Sequence, residues 1–308
     1  AVLGGKAPHN HGIFVGGVTV NIDAYKLEKV KSIISKIKEF SNVMLEDAYI
    51  IAKYYPDYFK KGITYPYFMS YGVFNNYHEK ELIYANPGVS IDGKTYELDS
   101  NKITENIHYA WYISDKNVKR PGEDIEYQVD ISKKKAYTFI KAPRYEGLPM
   151  QVGPLARLII NGEYKGGNGT MDRIIARAIE TKRIAEIMEI LCQKVEIKNN
   201  NQEIYSMPDK AYGVGLIDTT RGALGHWVSI ENKVIRNYDI ITPTMWNLSP
   251  KDEKGLYGTT EKALVGTEVK NTEDPIELGR IARAFDPCVS CATHVIVEGR
   301  EPIEIRVL

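Results

Sequence analysis

The chain has 308 residues, of which 43% are hydrophobic, 10% aromatic and 26% charged, a composition typical of globular proteins and unlike that of disordered or fibrous chains. Forty basic residues balance forty acidic ones, so the formal net charge is zero and nucleic acid is not an expected partner. Three cysteines cannot form a disulfide framework. No apolar run approaches the roughly 18 residues that a membrane span requires.

The first twenty residues, AVLGGKAPHNHGIFVGGVTV, show no charged n-region, apolar h-region or cleavage site of a signal peptide. They open at once on Gly-Gly, Pro-His and a second Gly-Gly. Such a start resembles the middle of a longer protein, and it also fits a mature chain that begins at Ala1 after loss of Met.

Two long helices are predicted. Apolar residues recur at spacings of three and four over residues 23–55, and Pro56 is expected to end this helix. A second helix is predicted over residues 168–195, with Cys192 in its apolar stripe. Because no second Cys or His is near it in the sequence, we interpret Cys192 as a buried thiol that acts as a small hydrophobe.

Short strands are predicted around and between these helices. Residues 64–99 carry aromatic and β-branched runs, including 67–69 and 81–84, which predict a small antiparallel sheet. Residues 101–135 are polar and expected to be irregular, and a short strand is expected at 137–140.

The last third of the chain predicts two strands within residues 213–242, joined by a turn at 231–233. A final helix is expected at about 274–285, with Pro275 in its first turn. With no internal repeat and no linker, the sequence predicts one compact α+β unit over residues 1–308. Its core is formed by long helices, and small antiparallel sheets and hairpins surround them.

The richest motif is DPCVSCATH, residues 286–294, in which Cys288 and Cys291 form a C-x2-C pair and His294 follows. Two thiolates at this spacing can bind one metal. Four explanations are open: a structural zinc site, a haem attachment site, a thioredoxin-like redox pair, and half of a metal site completed elsewhere. A structural zinc site would need two further Cys or His ligands close together, and the other histidines are scattered. A haem attachment site requires a His directly after the second Cys, where Ala292 stands. A thioredoxin-like pair is expected at the start of a helix, whereas this pair follows one.

Two other segments carry candidate ligand-binding groups. In the run from Asp218 to Trp227, DTTRGALGHW, glycines permit tight turns and Arg221 can present a rigid fork of donors to an anion. An ordinary hairpin with a surface arginine is the alternative. The run TPTMWNLSP, residues 242–250, supplies hydroxyls and an amide that either bind a ligand or cap the backbone.

Five motifs occur together in a specific order: GGKAPH near the start, KAPRYEGLPMQVGPLAR at 141–157, then RGALGHW, PTMWNLSP and DPCVSCATH. The sequence resembles the large, catalytic subunit of nickel–iron hydrogenases over its whole length. The resemblance implies the fold of that subunit and the reversible heterolytic oxidation of H2 to two protons and two electrons.

The resemblance also implies a set of metal ligands. In the family, four cysteines hold a nickel and an iron that carries carbon monoxide and cyanide. Cys288 matches a terminal nickel ligand and Cys291 a cysteine that bridges nickel and iron, and soft thiolates suit both metals. His294 matches the histidine of a magnesium site, and the backbone carbonyl of Ile240 matches a second magnesium ligand by position.

Three further residues gain roles from the resemblance. Arg221 matches the arginine over the open face of the metal pair, where a guanidinium can assist H2 heterolysis and also donate to a cyanide of the cofactor, and Asp286 is expected to orient it. Thr244 matches a hydroxyl residue that donates to a cyanide. The first proton acceptor is either Arg221 or a thiolate such as Cys288.

The sequence departs from the family in three places. The N-terminal C-x2-C pair is missing, so the resemblance implies a second chain that carries this half of the large subunit, and we expect a natural split. The family's iron–sulfur small subunit is a further expected partner, since this chain has no cysteines for clusters. Residues 295–308 form a tail normally removed after nickel insertion, and runs at 295–297 and 303–307 predict a hairpin around 298–300. Thr219-Thr220 stands where the family usually has Ala-Pro.

Two other functions are compatible with the sequence. One is a non-catalytic relative of the same fold, acting in assembly or in H2 sensing, which the retained tail favours. The other is a zinc-binding structural protein that uses Cys288, Cys291 and His294. Assembly is expected in the cytoplasm, with a final location that is cytoplasmic or membrane-associated.

Overall fold

The computed structural model describes residues 2, 4, 6, 11–14, 17, 18, 20–197, 206–288, 291–295 and 303–307. The fold is the predicted α+β arrangement, in which two long helices pack against each other and a short helix joins them to small antiparallel sheets. In the part of the chain that is described, no helix has both the length and the apolar character needed to cross a bilayer.

The first elements are the paired strands β1 (Ile13–Phe14) and β2 (Gly17–Val18), followed by helix α1 (Ala24–Tyr54). The carboxylate of Asp23 caps α1 by accepting a hydrogen bond from the amide of Lys26 at 2.7 Å. The helix ends just before Pro56, which confirms the prediction.

Strands β3 (Tyr67–Ser70), β4 (Gly88–Ile91) and β5 (Lys94–Tyr96) form the predicted antiparallel sheet in that order. The strand predicted at 81–84 is wrong, because this segment begins with a 3₁₀ turn at Lys80–Leu82. The hydroxyl of Tyr84 then donates to Glu180 at 2.8 Å, so the segment packs on a helix instead of pairing in the sheet.

The region predicted to be irregular contains four short strands: β6 (Ile103–Asn106), β7 (Tyr112–Ile113), β8 (Val118–Lys119) and β9 (Gln128–Val129). The strand predicted at 137–140 is also wrong, since those residues form only a bridge at Thr138. Strand β10 lies later, at Ala142–Tyr145, and pairs with β6. Pro143 is tolerated there because β10 is an edge strand of the sheet β10-β6-β8.

Helices α2 (Pro154–Ile160) and α3 (Thr170–Gln193) follow, and α3 confirms the second long helix. Lys38 of α1 pairs with Glu189 of α3, and Ala52 packs near Met171, so the two helices run antiparallel. Cys192 is a free thiol that is only partly buried, whereas the sequence predicted a buried one.

Strands β11 (Lys210–Thr219), β12 (Gly222–Glu231) and β13 (Val234–Ile241) form an antiparallel meander of three strands rather than the predicted two. The predicted turn before β13 is confirmed. Asn232 and Lys233 both have positive φ angles, 52° and 62°, as a two-residue hairpin turn requires.

The chain then forms helices α4 (Pro243–Asn247), α5 (Thr259–Leu264) and α6 (Ile276–Ala284), and Pro275 is the residue just before α6. Strands β14 (Cys291–Val295) and β15 (Ile303–Val307) pair antiparallel, with Cys291 opposite Val307. The predicted hairpin therefore begins four residues earlier than expected. Its predicted turn at 298–300 lies outside the described residues.

Arg144 of β10 is a buried anchor beside the core that contains Trp246. Its side chain is 3% exposed and donates to Asp252 at 2.9 Å, to Ser249 at 3.0 Å and to the carbonyl oxygen of Pro250 at 2.9 Å. The sequence motif that contains Arg144 thus supplies a structural ion pair that fastens β10 to the loop after α4.

We expect Arg144→Met to lower the free energy of unfolding by about 3–5 kcal/mol, because it leaves the buried Asp252 carboxylate without its cation. The matched control is Lys102→Met, which breaks the exposed Lys102–Glu146 pair and should cost less than about 1 kcal/mol. Urea unfolding of the full chain measures both. Equal costs for the two variants would contradict the role of Arg144.

Candidate active site

Arg221 lies on a two-residue turn, Thr220-Arg221, between β11 and β12, where Thr219 pairs with Gly222. The backbone of this turn approaches the start of α2 closely. A Cβ on Gly222 (φ +127°) would lie 2.6 Å from the amide nitrogen of Gly153, and one on Gly153 (φ +112°) would lie 2.8 Å from the carbonyl oxygen of Arg221. Only glycine permits this approach at both positions.

Arg157 of α2 fixes the same turn from its other side. Its guanidinium donates to both carboxylate oxygens of Glu180, at 2.6 and 2.7 Å, and to Asp218 at 2.8 Å. It also donates to the carbonyl oxygens of Thr219 at 3.0 Å and Thr220 at 3.2 Å. Burial opposes the charged guanidinium, but Glu180 and Asp218 outweigh it and raise the pKa of Arg157, so this side chain remains charged.

Arg221 reaches from the turn to the residue that follows α6. Its Nε donates to the main-chain oxygen of Asp286 at 2.9 Å, and its Nη2 lies 3.4 Å from Asp286 Oδ1. Asp286 has a φ of +52°, a conformation that few residues other than Gly, Asn and Asp adopt easily. Both side chains are about one-third exposed, so they face open space while touching each other.

Arg177 of α3 approaches Asp286 from the opposite side. Its Nε lies 3.8 Å from Asp286 Oδ2, and its Nη2 donates to the main-chain oxygen of Ala284 at 3.1 Å. Burial lowers the pKa of Arg177, and the carboxylate of Asp286 acts against this shift. The Asp286 carboxylate is therefore shared by two guanidiniums.

Cys288 is held through its backbone. Its amide donates to the Oγ1 of Thr244 in α4 at 3.1 Å, and its thiol is free and exposed. The side chain of Asn247 fixes α4 by bonding to both the amide and the carbonyl oxygen of Val152, at 3.0 and 3.1 Å. Arg221, Asp286, Cys288 and Thr244 thus come together, although up to 67 residues of sequence separate them.

The other predicted metal ligands, Cys291, His294 and Ile240, are near Cys288 or Thr244 in the sequence. Cys291 and His294 belong to β14, and their side chains are outside the description. Ile240 lies on β13, at the edge of the described three-stranded sheet and four residues before Thr244. Within the described ranges, no three His, Cys, Asp or Glu side chains converge in the manner of a complete metal site.

Sequence reasoning missed the residues that hold the site in place. Arg177 and Glu180 lie in a helix that was predicted from its apolar pattern alone, and Arg157 lies in a motif for which no contact was predicted. Asn247 is the exception, because its amide was among the groups of 242–250 expected to bind a ligand or to cap the backbone. A usable signal was present, because a charged residue on the buried side of a helix requires a partner of opposite charge. Arg157 and Glu180 are such residues, at 1% and 7% exposure.

The profile of the nickel-dependent hydrogenase family matches residues 1–168 and 161–294. The chain therefore belongs to the nickel-dependent hydrogenase family, as the order of its motifs predicts.

Similar proteins are large subunits of such enzymes. The chain is 31% identical to the periplasmic NiFeSe hydrogenase large subunit of Desulfomicrobium baculatum over 96% of its own length and 62% of the relative's. It is 32% identical to the Hydrogenase-1 large chain of Escherichia coli K12, over 100% and 63% of the two lengths. The chain thus spans less than two thirds of these relatives.

Solved structures agree in fold. The H2-activated NiFeSe hydrogenase of Dm. baculatum superposes with a TM-score of 0.85 at 30% identity, covering 93% of this chain and 64% of that one. The reduced Ni-Fe-Se hydrogenase of D. vulgaris Hildenborough gives a TM-score of 0.86 at 29% identity, over 93% and 65%.

The two described thiols should differ in reactivity. We expect Cys288 to react with iodoacetamide at least about tenfold faster than Cys192, because Cys288 is exposed and burial raises the pKa of the Cys192 thiol. Peptide mass spectrometry after timed labelling of the metal-free chain measures both rates and separates Cys288 from Cys291. Faster labelling of Cys192 would show that the loop after α6 does not expose Cys288.

Proposed function

We propose that this chain is part of the catalytic subunit of a nickel–iron hydrogenase and that, with partner chains, it catalyses the reversible reaction of H2 to two protons and two electrons. The observation that carries the proposal is the contact of Arg221 with Asp286, two residues before Cys288. A fixed cation and an exposed thiol on the same short loop are groups suited to splitting a neutral molecule into charged products.

The chemistry of the donors fits a nickel–iron centre. Cys288 offers an exposed, free thiol, and thiolates are the ligands that nickel and low-spin iron prefer. We propose that the thiolates of Cys288 and Cys291 would both hold this centre. When bound, this centre, with carbon monoxide and cyanide on the iron, supplies the two-electron chemistry of H2 cleavage.

A four-thiolate centre needs two more cysteines than this pair. The third cysteine of the sequence, Cys192, cannot join them, because it lies about 15 residues beyond Arg177 on α3, or about 22 Å along the helix axis. We therefore propose that a further C-x2-C pair, which is not among these 308 residues, completes the site. An iron–sulfur small subunit would accept the electrons.

Asp286 positions Arg221 through its main-chain oxygen and offsets its charge through its carboxylate. The main-chain oxygen of Asp286 fixes the Nε of Arg221, its carboxylate lies 3.4 Å from Nη2, and the planar fork as a whole stays about one-third exposed. The carboxylate of Asp286 offsets the positive charge of Arg221 and Arg177 together. Arg221 and the Cys288 thiolate are the two groups of this chain placed to hold the first proton.

Thr244, Ile240 and His294 are proposed to contact the cyanide and the magnesium next to the centre. The Oγ1 of Thr244 accepts a bond from the Cys288 amide, and a hydroxyl that accepts one bond can still donate another, here to a cyanide nitrogen. We propose that His294 and the backbone carbonyl of Ile240 would bind magnesium, together with oxygen ligands that are not among these residues.

Cys288→Ser should abolish nickel retention in the purified complex, because an alcohol is a poor ligand for nickel at neutral pH. The long helices should remain folded, since the Cys288 side chain is exposed. Cys192→Ser is the matched control and should keep its nickel. Elemental analysis measures the nickel content, and an unchanged nickel content in Cys288→Ser would contradict the assignment of Cys288 as a ligand.

Arg221→Lys should lower H2 turnover by about two to three orders of magnitude with nickel and iron retained, because a point charge replaces a fixed planar fork. Arg183→Lys is the control, since Arg183 makes only a surface pair with Glu186. Unchanged turnover in Arg221→Lys would remove this residue from the mechanism.

The infrared spectrum of the anaerobically purified native complex tests the function as a whole. Stretching bands of iron-bound carbon monoxide and cyanide are expected, and H2 should shift them. A complex that contains all its subunits but shows no such bands would contradict a hydrogenase role. It would favour the non-catalytic relative instead.

A further inference from the structure

Two arginines on one side of α3 contact the end of α6. Arg173 and Arg177 are one helical turn apart, so their side chains project from the same face of α3. Arg177 donates to the main-chain oxygen of Ala284 at 3.1 Å. Arg173 lies over the next residue, with its guanidinium carbon 3.9 Å from the centre of the Phe285 ring. Helix α3 therefore holds the chain at the point where the segment leading to Cys288 begins.

The guanidinium of Arg173 is buried among neutral groups. The residue is 3% exposed, and its Nε and Nη2 donate to Oε1 of Gln151 at 3.2 and 3.0 Å. Its Nη1 donates to the main-chain oxygen of Gly62 at 2.8 Å. With the Phe285 ring on its face, Arg173 has hydrogen bonds and a cation–π contact, but no salt bridge to any carboxylate among the described residues.

The neighbouring carboxylate of Asp172 is used for another purpose. It caps the start of α3 by accepting hydrogen bonds from the amides of Gly167 at 3.0 Å and Gly169 at 2.8 Å. Burial lowers the pKa of Arg173 to about 9, although the charge of Asp172 opposes the shift, so the side chain is still charged at neutral pH. A buried charge without a counter-ion is costly, and stability alone therefore does not account for an arginine at this position.

What Arg173 supplies is a planar group in a fixed orientation. Its acceptor Gln151 is itself held by β3, because the Gln151 amide donates to the main-chain oxygen of Tyr67 at 2.8 Å and its main-chain oxygen accepts from Met69 at 3.0 Å. Two nitrogens of the guanidinium bond to this fixed residue, so the plane cannot turn away from Phe285. A lysine in the same place has the charge but no planar face.

Phe285 is the buried anchor of the segment that leads to the candidate ligand. Of residues 285–288, only Phe285 is buried, the next two are half-buried and Cys288 is exposed. The Phe285 ring packs in an apolar cluster with Ala263 and Ile281. The position of this one ring therefore determines where the segment that carries Asp286 and Cys288 starts.

The contact is continuous with the candidate active site. Arg173 and Phe285 line a narrow gap together with Arg177 and Arg221. The volume of this gap is about 10 Å³, which is about the space of one water-sized probe. A ring that moved into the gap would therefore displace the arginines that contact Asp286.

We propose that Arg173 is a positioning residue of the candidate active site and that it acts through Phe285. Its fixed guanidinium holds the ring, and the ring holds the segment that carries Asp286 and Cys288. The importance of this position for a nickel–iron centre rests on the proposed function, whereas the effect on the segment itself is a property of the chain alone.

Hydrogen exchange of single amides in the metal-free full chain tests the proposal. The reporter is the amide of Cys288, which donates to Oγ1 of Thr244 at 3.1 Å. We expect Arg173→Lys to speed its exchange at least about tenfold, because the charge is kept but the planar contact is lost and the segment opens more often. The amide of Met245, bonded to Oγ1 of Thr242 at 3.3 Å, is the matched control and should not change. Equal changes at both amides, or none at Cys288, would overturn the proposal.

A double-mutant cycle shows whether Arg173 acts through Phe285. Phe285→Leu should speed exchange of the Cys288 amide to a similar extent, and the double variant should stay within about twofold of the faster single variant. Arg280→Lys, which removes a guanidinium from the ring of Tyr55, is the control and should have no effect. Additive effects, or no acceleration in Phe285→Leu, would contradict the proposal even where Arg173→Lys does not fold.

The assembled complex separates this inference from the proposed function. In Arg173→Lys, the infrared bands of iron-bound cyanide should shift or broaden and H2 turnover should fall at least about tenfold, because a displaced segment misaligns the site. Bands and turnover identical to those of the unsubstituted complex would overturn the positioning role and leave the hydrogenase function intact. If the unsubstituted complex has no such bands, the hydrogenase function is overturned, and exchange of the Cys288 amide still decides the role of Arg173.

Discussion

The guanidinium of Arg157 is the interaction on which the position of the candidate site depends. It joins three elements that are distant in the sequence: α2, which carries it, α3 through Glu180, and the end of β11 through Asp218. Two negative charges around one buried positive charge do not by themselves add much stability, because all three have lost their hydration. These charges instead fix the arrangement of α2, α3 and β11, because any other arrangement would leave a buried charge unpaired at a large cost in free energy.

The positions of the candidate site residues depend on these contacts of Arg157. The same guanidinium holds the carbonyl oxygens of Thr219 and Thr220, so the turn that bears Arg221 cannot swing away from α2. Gly153 and Gly222 let the two backbones touch. From this fixed turn Arg221 reaches Asp286, and Asp286 leads within two residues to Cys288. The loop after α6 is thereby fastened to the turn between β11 and β12 through one arginine.

The sequence was informative where structure depends on neighbours in the chain. The bounds of α1 and α3 follow from apolar periodicity, the Asp23 cap and Pro56, all of which act within a few residues. The strands near 81–84 and 137–140 were misplaced because pairing depends on partners that periodicity does not specify, such as Glu180 for Tyr84. For the site, the order of the motifs pointed to Arg221, Thr244, Asp286 and Cys288, but the arginines and amide that position them gave only a weak signal. Their partners lie 23 to 109 residues away.

Helix α1 exposes several large apolar side chains, and this exposure affects how the chain behaves in solution. A row that includes Phe40 at 64% exposure and Tyr54 at 79% exposure is a surface on which identical molecules stick to one another as their concentration rises. With a net charge of zero, no long-range repulsion keeps such molecules apart. Wherever this face of α1 is left uncovered, self-association at high protein concentration is therefore the expected behaviour of the chain.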